Sequence, residues 1–283
     1  MNRRELTRYD NSIGNLPYLA REWFRLHAQL YVLRKTPIVL YSTGGSGSNS
    51  VAEALDRRGA FTLHTHMLTD DALTDDRLKP RRWRWIKRHI VDAQRRTLFI
   101  ATVRDPIAVM VSGFFMRVPP MRERAAAKGR VLTVEKALDR FLNKYIHGRY
   151  TVEFFDRQIQ PVLGIDVYRD SFPREQGWAT YTKGPFSLLV VRSELPDEAK
   201  AEAIGAFTGV QGLSIPRVNR SDQKDYAELR REFDARLTIP DEILDTYYES
   251  RLAQHFFSPE ERAAMRAKWG TPRERSITPE TER

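Results

Sequence analysis

The chain contains no cysteine. Disulfides, thiolate zinc sites and cysteine nucleophiles are therefore excluded together. Long apolar runs are also missing: hydrophobic residues make up 41% of the 283 positions but are scattered among 30% charged ones. No membrane span is read from such a pattern, and the charged start Met1-Asn2-Arg3-Arg4-Glu5-Leu6 does not have the form of a secretory leader. A cytoplasmic location is expected. Internal repeats and low-complexity stretches are absent, which excludes solenoid and linker-like architectures. Acidic residues are the scarcer charge, 37 against 47 basic ones, for a net +10. Such a surplus draws anions, whether nucleic acid, anionic lipid or a phosphorylated or sulfated small molecule. Charge alone does not choose among them.

What is present is enough chain for one large α/β domain over residues 36–270. A basic lead-in, 1–35, precedes it, and a polar tail, 271–283, follows. Within the lead-in, Leu19 to Leu26 reads as an amphipathic helix. Short apolar, β-branched runs predict strands at Pro37–Tyr41, Phe61–His64, Leu98–Val103 and Ser187–Val191. Helical patterns follow at Val51–Leu55, Val131–Gln160 (broken near Gly148), Asp197–Phe207, Asp222–Ala235, Asp241–Ser250 and Pro259–Trp269. Alternation of this kind predicts a central parallel sheet covered on both faces, with a helical C-terminal part. Ligands in such folds bind beyond the carboxyl ends of the strands.

Two elements fall at those ends. Gly44, Gly45, Ser46, Gly47, Ser48, Asn49 and Ser50 link the first strand to a helix. Glycines let backbone N–H groups close around an anion, and the helix N-terminus adds partial positive charge. The plain alternative is an ordinary strand-to-helix turn. A Walker-type nucleotide triphosphate site needs a Lys after the last glycine, and Ser48 stands there instead. The second element is Val103-Arg104-Asp105-Pro106 with Ser112 two turns further on. A guanidinium fork and a hydroxyl suit a phosphate, Asp105 suits an N-cap and Pro106 a first helical turn. An ion pair of Arg104 with an aspartate is the plain alternative here.

At these residues the sequence resembles the sulfotransferases that use 3′-phosphoadenosine-5′-phosphosulfate (PAPS). It is similar in particular to bacterial capsular-polysaccharide-type sulfotransferases, over about Pro37 to Trp269. The narrower likeness rests on His64-Thr65-His66-Met67-Leu68, Phe154-Phe155-Asp156-Arg157, Gly164 to Tyr168, and His255-Phe256-Phe257 with Trp269. The resemblance implies a P-loop-like three-layer sandwich, with PAPS as co-substrate. It implies that the loop holds the 5′-phosphosulfate, that Arg104 and Ser112 hold the 3′-phosphate, and that His66 is the catalytic base. The His64-x-His66 spacing also suits a metal, but no carboxylate or third His is visibly paired with it, so no metal is expected. One departure is plain: where many members carry Lys or Arg two residues before the helix-opening glycine, this chain has Gly45. Lys183, Arg149 and Arg169 are the candidates to replace that charge.

The expected activity is sulfuryl transfer to a hydroxyl of a carbohydrate or similar acceptor. The expected partners are a small-molecule or oligosaccharide acceptor, with peripheral contact to anionic surfaces and no nucleic acid. The alternatives are a PAPS-binding or bisphosphate-binding protein with little transferase activity, and a nucleic-acid-binding α/β protein. The last rests on charge and on Lys79 to Arg88, where cations interleave with Trp83 and Trp85. That run also reads as a helix with packed tryptophans and solvent-facing cations. His64 and His66, two apart, share one face of a strand. Tyr145, Phe154, Phe155, Tyr168, Trp178 and Tyr181 read as an aromatic core or as an acceptor wall.

Overall fold

The computed structural model describes residues 16–74, 81–216 and 225–270. They gather into two compact units. The first takes the described residues up to Val103 together with Phe154–Pro216, and the second takes Arg104–Glu153 with the described residues from 225 onward. The polar tail, Lys79 and Pro80, and the expected helix start at Asp222 lie outside the described residues.

The first unit is built on a five-stranded sheet. Its strands are β1 (Ile38–Tyr41), β2 (Thr62–Thr65), β3 (Thr97–Val103), β4 (Trp178–Lys183) and β5 (Phe186–Arg192), in the order β2-β1-β3-β5-β4. The first four strands across that order are parallel. β3 and β5 are near-continuous apolar runs because both of their faces are covered. Leu40 and Ile100 on one face meet Val51 and Leu55 of helix α2 (Ser48–Arg57) and Ile204 of the Asp197–Thr208 helix. On the other face, Tyr41 lies 5.5 Å from Phe154 between ring centroids and donates a hydrogen bond to Gln158 Oε1 at 2.8 Å. Each large side chain buried this way contributes about 1.5–3 kcal/mol.

The expected all-parallel sheet is corrected at one edge. β4 pairs antiparallel with β5, from Trp178 opposite Val191 to Lys183 opposite Phe186. Gly184 turns this hairpin with φ 55°. The strand was not foreseen because Trp-Ala-Thr-Tyr-Thr-Lys is half polar and half exposed. That composition suits an edge, where one side of the strand faces water. A polar edge strand leaves only a weak apolar alternation to read.

The second unit is helical. Ile107, Val111, Phe114 and Phe115 of the Pro106–Phe115 helix pack with Phe141, Phe233, Leu244 and Tyr247. Asp105 caps the first of these helices, its Oδ1 accepting from Ile107 N at 3.0 Å, and Pro106 occupies the first turn. Its C-terminal helices are Ala227–Arg236, Asp241–Tyr248, Arg251–Phe256 and Pro259–Gly270, so the expected helical C-terminal part is present.

Candidate functional site

In the first unit, chain reversal on either side of β1 creates a switch point, since β2 lies to one side of it and β3 to the other. Sheets of this kind leave a crevice there, at the carboxyl ends. The Gly44–Ser50 loop occupies this position. Gly45 and Gly47 have φ of 92° and 93°, the left-handed region that side-chain-bearing residues avoid. Gly47 is the N-cap of α2, so the N–H groups of Ser48 and Asn49 at the first turn have no intrahelical acceptor.

The loop is bolted down from two sides. Ser46, fully buried, places its hydroxyl 2.7 Å from the Thr43 carbonyl and 2.7 Å from Thr102 Oγ1 on β3. Its side chain therefore shapes the loop and leaves only the backbone of Ser46 for a ligand. Ser193, the first residue after β5, donates its hydroxyl to the Ser46 carbonyl. A β-carbon on Gly47 would lie 3.3 Å from Ser193 Oγ, so glycine also permits this close approach. In a trans peptide the N–H points opposite to the C=O. Holding the Ser46 carbonyl towards Ser193 thus turns the Gly47 N–H the other way. Among the remaining loop side chains, Ser48 is buried and bonds His64 Nε2 at 3.0 Å, whereas Asn49 is exposed and Ser50 half-buried.

His66 follows β2 at the same end of the sheet. Its Nδ1 lies 2.6 Å from the Ser42 carbonyl. A carbonyl only accepts, so Nδ1 carries the proton and Nε2 of the neutral ring is the basic atom. A β-carbon on Gly44 would stand 4.0 Å from that Nε2. Burial pushes the imidazole below its ordinary value of 6.5, against the opposing pull of the Ser42 carbonyl. His64 shares the face, its ring centroid 4.8 Å from that of His66, and Trp83 lies 6.1 Å from His66 on another side. Ser42 Oγ is fully buried with no hydrogen-bond partner among the described residues. Among those residues no group of three or more His, Asp or Glu could hold a metal ion.

In the second unit Arg104 Nη1 donates to Ser112 Oγ at 3.2 Å. The two residues singled out for a 3′-phosphate therefore meet. Besides its cap, Asp105 accepts from Tyr248 Oη at 2.9 Å and from Trp269 Nε1 at 2.8 Å.

The cations proposed to stand in for a Lys at position 45 fare differently. Lys183 pairs with Phe186 at the amino end of the parallel strands, opposite the end that bears the loop. Arg149 belongs to the second unit and pairs with Glu153 at 3.0 Å. Arg169 is exposed. Lys200, not foreseen, donates to the Ser193 carbonyl at 3.2 Å and pairs with Asp197 at 2.8 Å. Ser193 and Thr102 were also missed. Both lie at or just beyond strand carboxyl ends, and that position is the only signal the sequence offers for them.

The remaining motifs resolve into packing. Phe154 and Phe155 are buried, and Phe155 meets Tyr168 at 6.0 Å. Arg81–Ile86 is a helix with Trp85 buried and Arg84 exposed, while Arg82 pairs with Glu22 at 2.8 Å.

Residues 133–258 match the family model described as "putative capsular polysaccharide synthesis protein". This is less than half of the chain. It contains β4, β5 and Ser193 but begins after the loop, His66, Arg104 and Ser112. The capsular-polysaccharide part of the expected resemblance is met there, and the description says nothing of sulfuryl transfer. No curated protein and no solved structure matches the chain.

Proposed function

We propose that this protein is a biosynthetic enzyme that transfers a sulfuryl group from PAPS to a hydroxyl of a carbohydrate-type acceptor, on a P-loop-like three-layer sandwich. The observation that carries the reading is the pairing of a clamped glycine loop with a neutral histidine. His66 has Nδ1 committed to the Ser42 carbonyl and its basic Nε2 beside Gly44. An anion cradle with a base next to it is what in-line transfer to an alcohol requires. The family description adds the carbohydrate class.

In this reading the loop amides and Ser48 hold the 5′-phosphosulfate, while the 3′-phosphate role of Arg104 and Ser112 rests on the sequence resemblance alone. The acceptor oxygen attacks sulfur, its proton passes to His66 Nε2, and the S–O bond to the phosphate breaks. Adenosine 3′,5′-bisphosphate leaves. A positioned base of this kind accounts for about 10²–10⁴-fold in rate.

A second reading, nucleotide binding with little transfer, is favoured by Gly45, which brings no charge to the loop. Calorimetry with adenosine 3′,5′-bisphosphate and radiosulfate transfer from PAPS to a panel of saccharides separate the two. Arg104→Ala is expected to weaken bisphosphate binding by about tenfold to a hundredfold, the loss of one charge-assisted hydrogen bond. His66→Ala keeps that affinity and loses transfer. Binding without transfer by the native protein selects the second reading. Absence of bisphosphate binding at low salt overturns both.

A further inference from the structure

Seven large apolar side chains stand out in water among the described residues, and five of them fall between Trp23 and Leu33. Trp23 is 50% exposed, Phe24 67%, Tyr31 43%, Val32 75% and Leu33 61%. They ride on helix α1 (Leu16–His27), the π-helical turn Ala28–Val32 that continues it, and its C-cap Leu33. Leu26 and Leu30 of the same segment are buried and fix it to the first unit. Single exposed apolar residues need no explanation, but a cluster of this density does.

The cluster is held firmly. Trp23 stacks on His27 at 3.7 Å, and His27 meets Trp85 and His89 of the neighbouring helix at 5.5 and 5.1 Å. Tyr31 Oη lies 2.8 Å from His89 Nδ1, and the Arg95 guanidinium sits 4.8 Å above the Tyr31 ring. The surroundings are basic. Arg21, Arg25, Arg34 and Lys35 share the segment with one acid, Glu22, which Arg25 and Arg82 hold at 2.9 and 2.8 Å. Arg84 and Arg88 are exposed on the helix that carries Trp85 and His89.

We propose that this face docks the protein onto an anionic lipid bilayer. Aromatic rings and aliphatic chains insert at the level of the headgroups, and the surrounding arginines meet lipid phosphates. No helix among the described residues is long and apolar enough to cross a membrane, so the contact is peripheral. Nucleic acid fits less well, because Val32 and Leu33 offer no ring on which a base could stack. A second copy fits less well too, because a twofold interface would press the same basic face against itself. The proposal does not depend on the sulfuryl-transfer reading.

The test is co-sedimentation of the full chain with vesicles of phosphatidylglycerol and phosphatidylcholine in equal parts, and with phosphatidylcholine alone. Binding is expected to the first, at least about tenfold weaker to the second, and falling as salt is raised. The double variant Phe24→Ser/Val32→Ser is expected to lose at least about tenfold in vesicle affinity, with an unchanged thermal melt. Arg21→Glu/Arg88→Glu supplies an independent arm and is expected to lose the preference for anionic vesicles. Equal binding to both compositions, no binding, or double variants that bind like the native chain overturn the proposal. So does a dimer in solution that Phe24→Ser/Val32→Ser converts to monomer, since a second copy then covers this face.

Discussion

The two oxygens of Asp105 accept from the Ile107 N–H, the Tyr248 hydroxyl and the Trp269 indole. The Tyr248 phenol, pushed upward by burial and by the adjacent Asp105 charge, stays protonated and donates. Asp105→Ala strands a buried hydroxyl and a buried indole N–H and removes a cap. A loss of about 3–5 kcal/mol in urea unfolding is expected, and a loss under 1 kcal/mol refutes the account. His66 gives a different kind of prediction. Its pKa in the folded protein lies below the ordinary 6.5, chiefly through desolvation. Between those two values the unfolded chain binds more protons than the folded one, so stability rises with pH there. The His66 contribution is complete above pH 6.5 and is lost as the pH falls through the depressed value. His66→Gln should flatten that part of the stability profile. The same shift keeps Nε2 unprotonated in neutral solution, so the acid limb of the proposed transfer should fall below pH 6.5. A limb above it removes His66 as the base.

Among the elements, the glycine loop depends on what lies behind it. Ser193 fixes the Ser46 carbonyl, and Lys200 holds the Ser193 carbonyl in turn. Ser193→Ala removes one hydrogen bond worth about 1 kcal/mol. Bisphosphate affinity should fall by about fivefold, with little change in the thermal melt. An unchanged affinity in calorimetry would show that the loop keeps its shape without the clamp. The geometry also explains why a cation cannot simply be restored at position 45. With φ at 92°, a Lys there carries a left-handed penalty of about 1–2 kcal/mol. A slow Gly45→Lys variant therefore measures strain along with charge.

At the scale of the molecule, the four parallel strands and most helices were legible because apolar periodicity and strand-end punctuation are local signals. β4 was not, since an edge strand needs only one covered face and carries few apolar residues. The loop, the two histidines on one face and the meeting of Arg104 with Ser112 were readable from glycine content, alternation and spacing. Their supports were not. Thr102, Ser193 and Lys200 are ordinary residues until the sheet brings them to the loop. Likewise nothing near Asp105 in the sequence marks Tyr248 and Trp269 as its partners, 143 and 164 residues away.

That last separation bears on how the protein is made. The second unit is assembled from Arg104–Glu153 and the described residues 225–270, and its capping carboxylate waits for an indole at position 269. During synthesis the Pro106–Phe115 helix emerges early, with Phe114 and Phe115 seeking partners such as Phe233 that are not yet translated. Phe141 follows soon, but the part of that face that meets Phe233 stays uncovered while more than a hundred further residues are added. This nascent segment is where chaperone capture or aggregation should concentrate.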